Sequence, residues 1–180
     1  MFLPEFEKKQ KPFEGRKVYF SNSMSGVREA PPEFGWELVQ FMKENGATVR
    51  DEFVAARNHN ELVEIFLRDF NFNLDTESDP WFFVRKTDIS LVDEATHLVV
   101  VVDGASHGVG MEIQRAIDKP AMGMNATPIL CLIREDLYGE NKPTWMIKGI
   151  TQEEASGFEL KTYKDLEDAK RIVQDFLINH

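Results

Sequence analysis

Two acidic side chains, Glu112 and Asp88, are the residues of this chain whose types and positions could carry out chemistry. Glu112 closely follows Gly108 and Gly110, and glycine lets a backbone turn tightly and approach a ligand without a Cβ in the way. These glycines come shortly after the apolar run 98–102, which is typical of a strand buried on both faces of a parallel sheet. Ligands of such sheets bind at the carboxyl ends of the strands. We therefore expect Glu112, in the first turn of the next helix, to lie at a ligand site.

Asp88 lies in a predicted helix that leads into the same strand, so both carboxylates could face one crevice. Two carboxylates about 5 Å apart across a glycosidic bond are what a retaining mechanism requires. Tyr19, in the first predicted strand, is a candidate to aim its hydroxyl at the same point. Each residue also has a simpler interpretation. Glu112 would only complement the helix dipole, Asp88 would be an exposed helix residue, and Tyr19 would be a core residue.

Composition and charge limit the function classes. The chain has 180 residues, of which 42% are hydrophobic, and a formal net charge of −10 at pH 7. This length predicts one domain with a substantial core, and the charge argues against binding of duplex nucleic acid, which needs clustered Lys and Arg. The sequence shows no apolar run of membrane-spanning length and no secretory signal, so no membrane partner is expected. A lone cysteine, Cys131, is expected to be a buried thiol and fits the reducing cytoplasm.

Strands alternate with helices along the sequence. The predicted strands are 17–20, 48–54, 98–102, 127–133 and 158–160. The predicted helices are 33–45, 60–70, 85–95, 108–118, a short turn at 144–148, and 163–179. This alternation predicts a single α/β domain, flavodoxin- or Rossmann-like, with a parallel five-stranded sheet and helices on both faces. We place the domain at 17–180, after a lead-in of uncertain order at 1–16, and we predict a surface loop at 71–81.

Cofactor and metal motifs are not found in the sequence. The dinucleotide fingerprint G-x-G-x-x-G is not completed, because Ile113 and Gln114 stand where the third glycine should come. There is no P-loop and no zinc spacing. The alternating carboxylates at 75, 77 and 79 lack the glycine and the terminal glutamate of an EF-hand calcium loop. We therefore expect neither a cofactor nor a metal ion.

Four segments with distinctive residues follow one another along the chain. They are 18–29 (VYFxxSMxGxRE), 48–56 (TVxxExVAA), 88–113 (DI, then A, then SxGVGMEI) and 144–149 (TWMIKG). Together, in this order, they resemble the 2′-deoxynucleoside 5′-phosphate N-hydrolases, which belong to the nucleoside 2-deoxyribosyltransferase superfamily. The similarity extends from about residue 18 to residue 149, although no single segment would be sufficient.

The resemblance implies a role for each candidate residue. Glu112 would be the nucleophile that attacks C1′ of 2-deoxyribose and forms a glycosyl-enzyme ester. Asp88 would supply or relay a proton to the departing base, and Tyr19 would hold the rotamer of Glu112. Thr144 would reach the 5′-phosphate in the neighbouring subunit of a homodimer. The residues implied in substrate binding are Ser23, Ser25, Gly26, Arg28, Phe53, Ser106, Gly108, Gly110 and Thr144.

Three differences from the family pattern bear on the substrate. Ser25 takes the place of an arginine, which removes a bidentate phosphate partner, and Arg28 is the candidate replacement. Phe53 stands where a base-contacting histidine is expected. Gln114 replaces a glycine after the nucleophile. These differences are also compatible with a transferase that acts on free nucleosides.

The resemblance predicts an N-glycosidase that hydrolyses the base–deoxyribose bond of a 2′-deoxynucleoside 5′-monophosphate through a covalent intermediate on Glu112. One alternative is a nucleoside 2-deoxyribosyltransferase that exchanges bases on free deoxynucleosides. Another is a nucleotide-binding or sensing module without turnover, and a third is a flavodoxin-like scaffold with no nucleotide ligand. The expected partners are a small deoxynucleoside or deoxynucleotide and a second copy of the chain, with no nucleic acid polymer.

Overall fold

The computed structural model describes residues 11–23, 32–50, 55–140 and 142–180. Its strands are β1 (Lys17–Ser21), β2 (Thr48–Arg50), β3 (His97–Val101), β4 (Ile129–Arg134) and β5 (Phe158–Tyr163). Its helices are α1 (Pro32–Glu44), α2 (His59–Phe70), α3 (Pro80–Glu94), α4 (His107–Asp118), α5 (Trp145–Lys148) and α6 (Leu166–Asn179), with short 3₁₀ turns at Pro120–Met122 and Glu135–Leu137. Four predicted site residues lie outside the described residues: Ser25, Gly26, Arg28 and Phe53.

The five strands form one parallel sheet in the order β2-β1-β3-β4-β5. This is the strand order of flavodoxin-like folds, and it confirms the predicted α/β architecture. The apolar runs of the sequence supply its centre, since every residue of β3 is buried and only the last residue of β4 is partly exposed. Cys131 in β4 is fully buried and free, as predicted, and burial raises the pKa of its thiol to about 12.

Helices cover both faces of the sheet. α1 packs against α6, and α3 packs against α4. The connection from β1 through α1 to β2 crosses the sheet in one direction, and the connection from β2 through α3 to β3 crosses it in the other. Right-handed crossovers of opposite direction place their helices on opposite faces. The chain therefore diverges at the carboxyl ends of β1 and β3, and this divergence opens the crevice in which ligands of such folds bind.

The predicted start of α3 is five residues too late. The helix begins at Pro80, because proline is well suited to the first turn, where its missing N–H has no helical partner. The loop before it is therefore shorter than predicted. It is held by a parallel stack of Phe72 on Phe83, with ring centroids 4.0 Å apart, and Asn71 ends α2 in the left-handed conformation at φ 52°.

Two further boundaries differ from the sequence prediction. α6 begins at Leu166 because the Asp165 side chain accepts a hydrogen bond from the backbone N–H of Asp168, which caps the helix. Tyr163 is therefore the last residue of β5, which extends beyond the predicted Leu160. The second half of the predicted strand 48–54 lies outside the described residues. Across the described ranges, no helix combines the length and the apolar character needed to cross a bilayer.

Candidate active site

Glu112 lies in the second turn of α4, not in the first turn as predicted. The helix begins at His107 because the Ser106 hydroxyl accepts a hydrogen bond from the backbone N–H of Val109 at 3.4 Å. Gly108 and Gly110 are therefore helical residues without positive φ, and no tight turn separates them from Glu112. No acidic residue lies in the first turn of α4, so Glu112 does not complement the helix dipole there.

The two glycines leave open space beside the first turn of α4. A Cβ added at Gly110 would meet no atom within 4 Å, and one added at Gly108 would meet only the Ser106 hydroxyl oxygen at 3.8 Å. Packing within the described parts of the protein therefore does not require glycine at either position. The free space lies beside helix N–H groups, which favour anionic groups.

Two hydroxyl residues of β1 act on the Glu112 carboxyl group. The Ser21 hydroxyl donates a hydrogen bond to Oε2 of Glu112, and the side chain of the fully buried Tyr19 lies near enough to lower the pKa of this carboxyl group. The two residues are separated by one position, so their side chains leave the strand on the same face. Glu112 itself is only 9% exposed. The sequence analysis missed Ser21, although its alternation with Tyr19 was a signal that could have identified it.

Burial and hydrogen bonding act on the pKa of Glu112 in opposite directions. Loss of solvent raises the pKa, and the hydrogen bonds from Ser21 and Tyr19 lower it, with burial the larger effect. The net direction is upward. Glu112 is thus a buried carboxyl group whose ionised form is favoured by the neighbouring hydroxyls, but by less than burial disfavours it.

Asp88, on α3, is the second carboxyl group of the site. Burial, the larger cause, and the negative charge of Glu112 together raise its pKa to about 7. The buried Oδ1 of Asp88 has no hydrogen-bond partner in the described part of the chain. Because Glu112 has supporting donors and Asp88 has an oxygen without one, we expect Glu112 to ionise first and Asp88 to retain its proton near neutral pH.

The two helices that carry these acids, α3 and α4, are joined by contacts nearer the other edge of the sheet. Arg115 donates two hydrogen bonds to Asp93, both at 2.7 Å. The buried ammonium of Lys119 donates to the carbonyls of Val92 and Ala95 at 3.1 and 2.8 Å, which satisfies the end of α3. The sequence analysis missed both contacts, because neither residue type at these positions signals burial.

The remaining predicted residues do not all meet at this cluster. Ser23 is buried just after β1, with 2% exposure, and Ser106 uses its hydroxyl to cap α4. Thr144 is exposed at the start of α5 and makes no hydrogen bond to Glu112 within the described ranges. In those same ranges no three His, Cys, Asp or Glu side chains are grouped as a metal ion would require. The cluster therefore consists of two neighbouring carboxyl groups, both with raised pKa values, and the hydroxyl residues Ser21 and Tyr19 beside Glu112.

Comparison with known proteins identifies a structural neighbour. No family model matches the sequence, and the search of curated proteins found no match. Among solved structures, the CMP N-glycosidase BcmB of Clostridium botulinum matches with a TM-score of 0.55 and 18% sequence identity, over 89% of this chain and 99% of that chain. The chain thus shares the α/β fold of a nucleotide N-glycosidase across nearly its whole length.

Proposed function

We propose that this protein is an N-glycosidase that hydrolyses the base–sugar bond of a 2′-deoxynucleoside 5′-monophosphate. The observation that carries the proposal is the pair of buried carboxyl groups at the divergence of β1 and β3. Glu112 is supported in its ionised form by hydroxyl donors, and Asp88 has a pKa raised to about 7. A retaining glycosidase requires these two states, a nucleophile and an acid, at one place.

The reaction proceeds in two steps. In the first, a carboxylate oxygen of Glu112 bonds to C1′ while the C1′–N bond breaks and its electron pair goes to the base nitrogen. Asp88 gives its proton to the departing base. In the second step Asp88, now ionised, takes a proton from water, and the water oxygen replaces the Glu112 oxygen at C1′. The products are the free base and deoxyribose 5-phosphate, and both acids return to their starting states.

The 5′-phosphate is placed at the start of α4 in this proposal. The support is the open space beside Gly108 and Gly110, where a Cβ is missing and helix N–H groups are close. Ser23, Ser25, Gly26, Ser106 and Arg28 would complete the phosphate contacts, and Phe53 would face the base. Thr144 would come from a second copy of the chain, whose exposed α5 would meet the site of its neighbour.

The structural neighbour supports the type of bond that is cleaved. It is a CMP N-glycosidase, so a base–sugar bond of a nucleotide is cleaved on this fold elsewhere. CMP carries ribose, and the sequence resemblance favours 2-deoxyribose. The test therefore compares a nucleotide that carries 2-deoxyribose with one that carries ribose.

The test is product analysis with the purified protein. We expect dCMP, or another deoxynucleoside monophosphate, to yield free base and deoxyribose 5-phosphate, and CMP to react more slowly. Stopping the reaction during turnover should show a mass increase of one glycosyl phosphate on the peptide that contains Glu112. The same incubation with a second free base separates hydrolysis from transfer. Base exchange without release of sugar phosphate would show a transferase, and nucleotide binding without any cleavage would show a sensing module.

A further inference from the structure

A second feature of α3 lies beside the acid pair. Arg85 precedes Asp88 by three residues, so the two side chains occupy neighbouring positions on the helix. Nη1 of Arg85 lies 4.0 Å from Sδ of Met111, the residue before Glu112. The guanidinium therefore spans the two helices that carry the catalytic acids.

The position of Arg85 along α3 places it toward the carboxyl edge of the sheet. α3 leads into the amino end of β3, and α4 follows the carboxyl end of β3, so both helices begin at the carboxyl edge of the sheet. Arg85 is nearer to the start of α3 than Asp88 is. Arg85 is therefore nearer to the carboxyl edge of the sheet than Asp88 is, and its side chain is exposed.

Arg85 has no carboxylate partner among the described residues. It differs in this from Arg57, Arg68, Arg115, Arg134 and Arg171, whose guanidiniums are each paired with a carboxylate. Burial and the charge of Glu112 determine the pKa of Asp88, and Arg85 does not neutralise that acid. The donors of this guanidinium thus remain available to a ligand.

We propose that Arg85 binds the departing base at the carbonyl oxygen next to the glycosidic nitrogen, and so makes the enzyme selective for pyrimidine nucleotides. This inference rests on the proposed function. Arg85 belongs to the base side of the site because it shares α3 with Asp88, which delivers the proton to the base. When the C1′–N1 bond breaks, its electron pair passes to N1 and spreads to O2 of a pyrimidine, where a guanidinium stabilises the developing charge.

A purine offers a weaker partner at the same position. The atom next to its glycosidic nitrogen is bonded to ring nitrogen N3, which has one lone pair in the ring plane, whereas a carbonyl oxygen has two. A guanidinium fork can therefore donate two hydrogen bonds to the pyrimidine carbonyl and one to the purine. This difference should appear in kcat, because the charge develops in the transition state.

The test compares Arg85→Gln with Lys86→Gln, which removes one positive charge from the same helical turn. Both side chains are exposed, so both variants are expected to fold. With a pyrimidine deoxynucleotide we expect Arg85→Gln to lower kcat by about 100-fold, as loss of a transition-state donor does. The loss should be much smaller with the matching purine deoxynucleotide, and Lys86→Gln should behave as wild type with both. Arg85→Lys keeps the positive charge but not the planar guanidinium, so its kcat should lie between those of wild type and Arg85→Gln.

The same variants on nucleosides without the phosphate identify the group that Arg85 contacts. A loss of kcat that persists on the pyrimidine nucleoside supports contact with the base. A loss that disappears there would show contact with the phosphate and would overturn the inference. Equal losses with purine and pyrimidine, or no loss, would also overturn it while leaving the proposed function intact. Failure of the wild type to cleave any nucleotide would instead overturn the proposed function.

Discussion

Two aspartates with raised pKa values, Asp103 and Asp88, have opposite surroundings. Asp103, 3% exposed just after β3, accepts a hydrogen bond from the Tyr163 hydroxyl and another from the backbone N–H of Arg134 at 2.7 Å. Asp88, on α3, has a buried Oδ1 with no partner in the described parts of the chain. Burial raises the pKa of both carboxyl groups. Asp103 is buried with two hydrogen-bond donors, whereas Asp88 is half-buried and one of its oxygens has no donor in those parts of the chain.

The difference shows which buried acid is available for chemistry. Asp103 joins the ends of three neighbouring strands, because Arg134 ends β4 and Tyr163 ends β5, and Tyr163 also stacks on Phe34 of α1 at 4.9 Å. Its hydrogen-bonding capacity is used within the protein. Asp88 has an unused oxygen and lies next to a second acid, so its proton can be given to a ligand. The following predictions test whether this division holds.

The largest effect is expected from Glu112→Gln. The amide oxygen can still accept from Ser21, so the fold should be retained, but the amide cannot act as a nucleophile. We expect kcat/KM to fall on the order of 10⁴-fold, the scale on which enzymes lose activity without their nucleophile. Thermal unfolding serves as the control for folding. Activity within tenfold of wild type would exclude Glu112 as the nucleophile.

Asp88→Asn should lower kcat by about 10²- to 10³-fold, the usual contribution of a general acid. The wild-type rate should fall as the pH rises through about 7, because Asp88 loses its proton there. This alkaline limb should be missing in the variant, whose amide does not titrate in that range. A pH–rate profile of each protein checks the prediction. An unchanged alkaline limb in Asp88→Asn would assign the titration to another group.

The same substitution should change stability in opposite directions at the two aspartates. The pKa of folded Asp88 is raised from 3.8 to about 7, so its stabilising contribution is complete below about pH 4 and is lost as the pH rises through 7. At pH 8, Asp88→Asn should therefore unfold at higher denaturant concentration than wild type. The difference should vanish near pH 4.

Asp103→Asn should instead destabilise the protein by about 1–3 kcal/mol, because one of its two buried donors loses a carboxylate acceptor. Urea unfolding of both variants and of the wild type at pH 8 measures whether each substitution raises or lowers the free energy of unfolding. Destabilisation by both substitutions would show that Asp88 is a structural acid like Asp103.

The smallest effect is expected from Ser21→Ala. Loss of this donor removes one of the hydrogen bonds that lower the pKa of Glu112, so that pKa should rise further. The acid limb of the pH–rate profile should move to higher pH. At neutral pH the rate should fall by up to about tenfold, the upper end of the net contribution of a typical hydrogen bond. Ser21→Thr keeps the hydroxyl and serves as the matched control; a shift as large in this variant would contradict the assignment.

The fold and the position of the acid pair could be predicted from the sequence for one physical reason. Continuous apolar runs mark buried parallel strands, and the alternation of strands and helices fixes where their carboxyl ends meet. Glu112 and Asp88 flank the most apolar run, so both could be placed at that edge. Once the strand order of the structure is known, the covering of both faces follows from the handedness of the crossovers.

Other features depend on contacts between distant segments and could not be predicted. α4 begins one residue before the predicted start at 108, because the Ser106 side chain caps it, and Glu112 then lies in its second turn rather than the first. Lys119 was missed because lysine is rarely buried, and only the end of α3 supplies its acceptors. Asp103 showed no distinguishing signal, since its partners lie 31 and 60 residues away in the sequence.

The fastening of α3 to α4 determines how the crevice can widen. Arg115 and Lys119 join the two helices near their ends at the amino edge of the sheet. If the helices separated, they would rotate about these contacts, and their opposite ends would move apart. Displacement would be least at the joint, intermediate at Asp88 and greatest near Arg85. A bulky base could then be admitted while the distance between the two acids changes little.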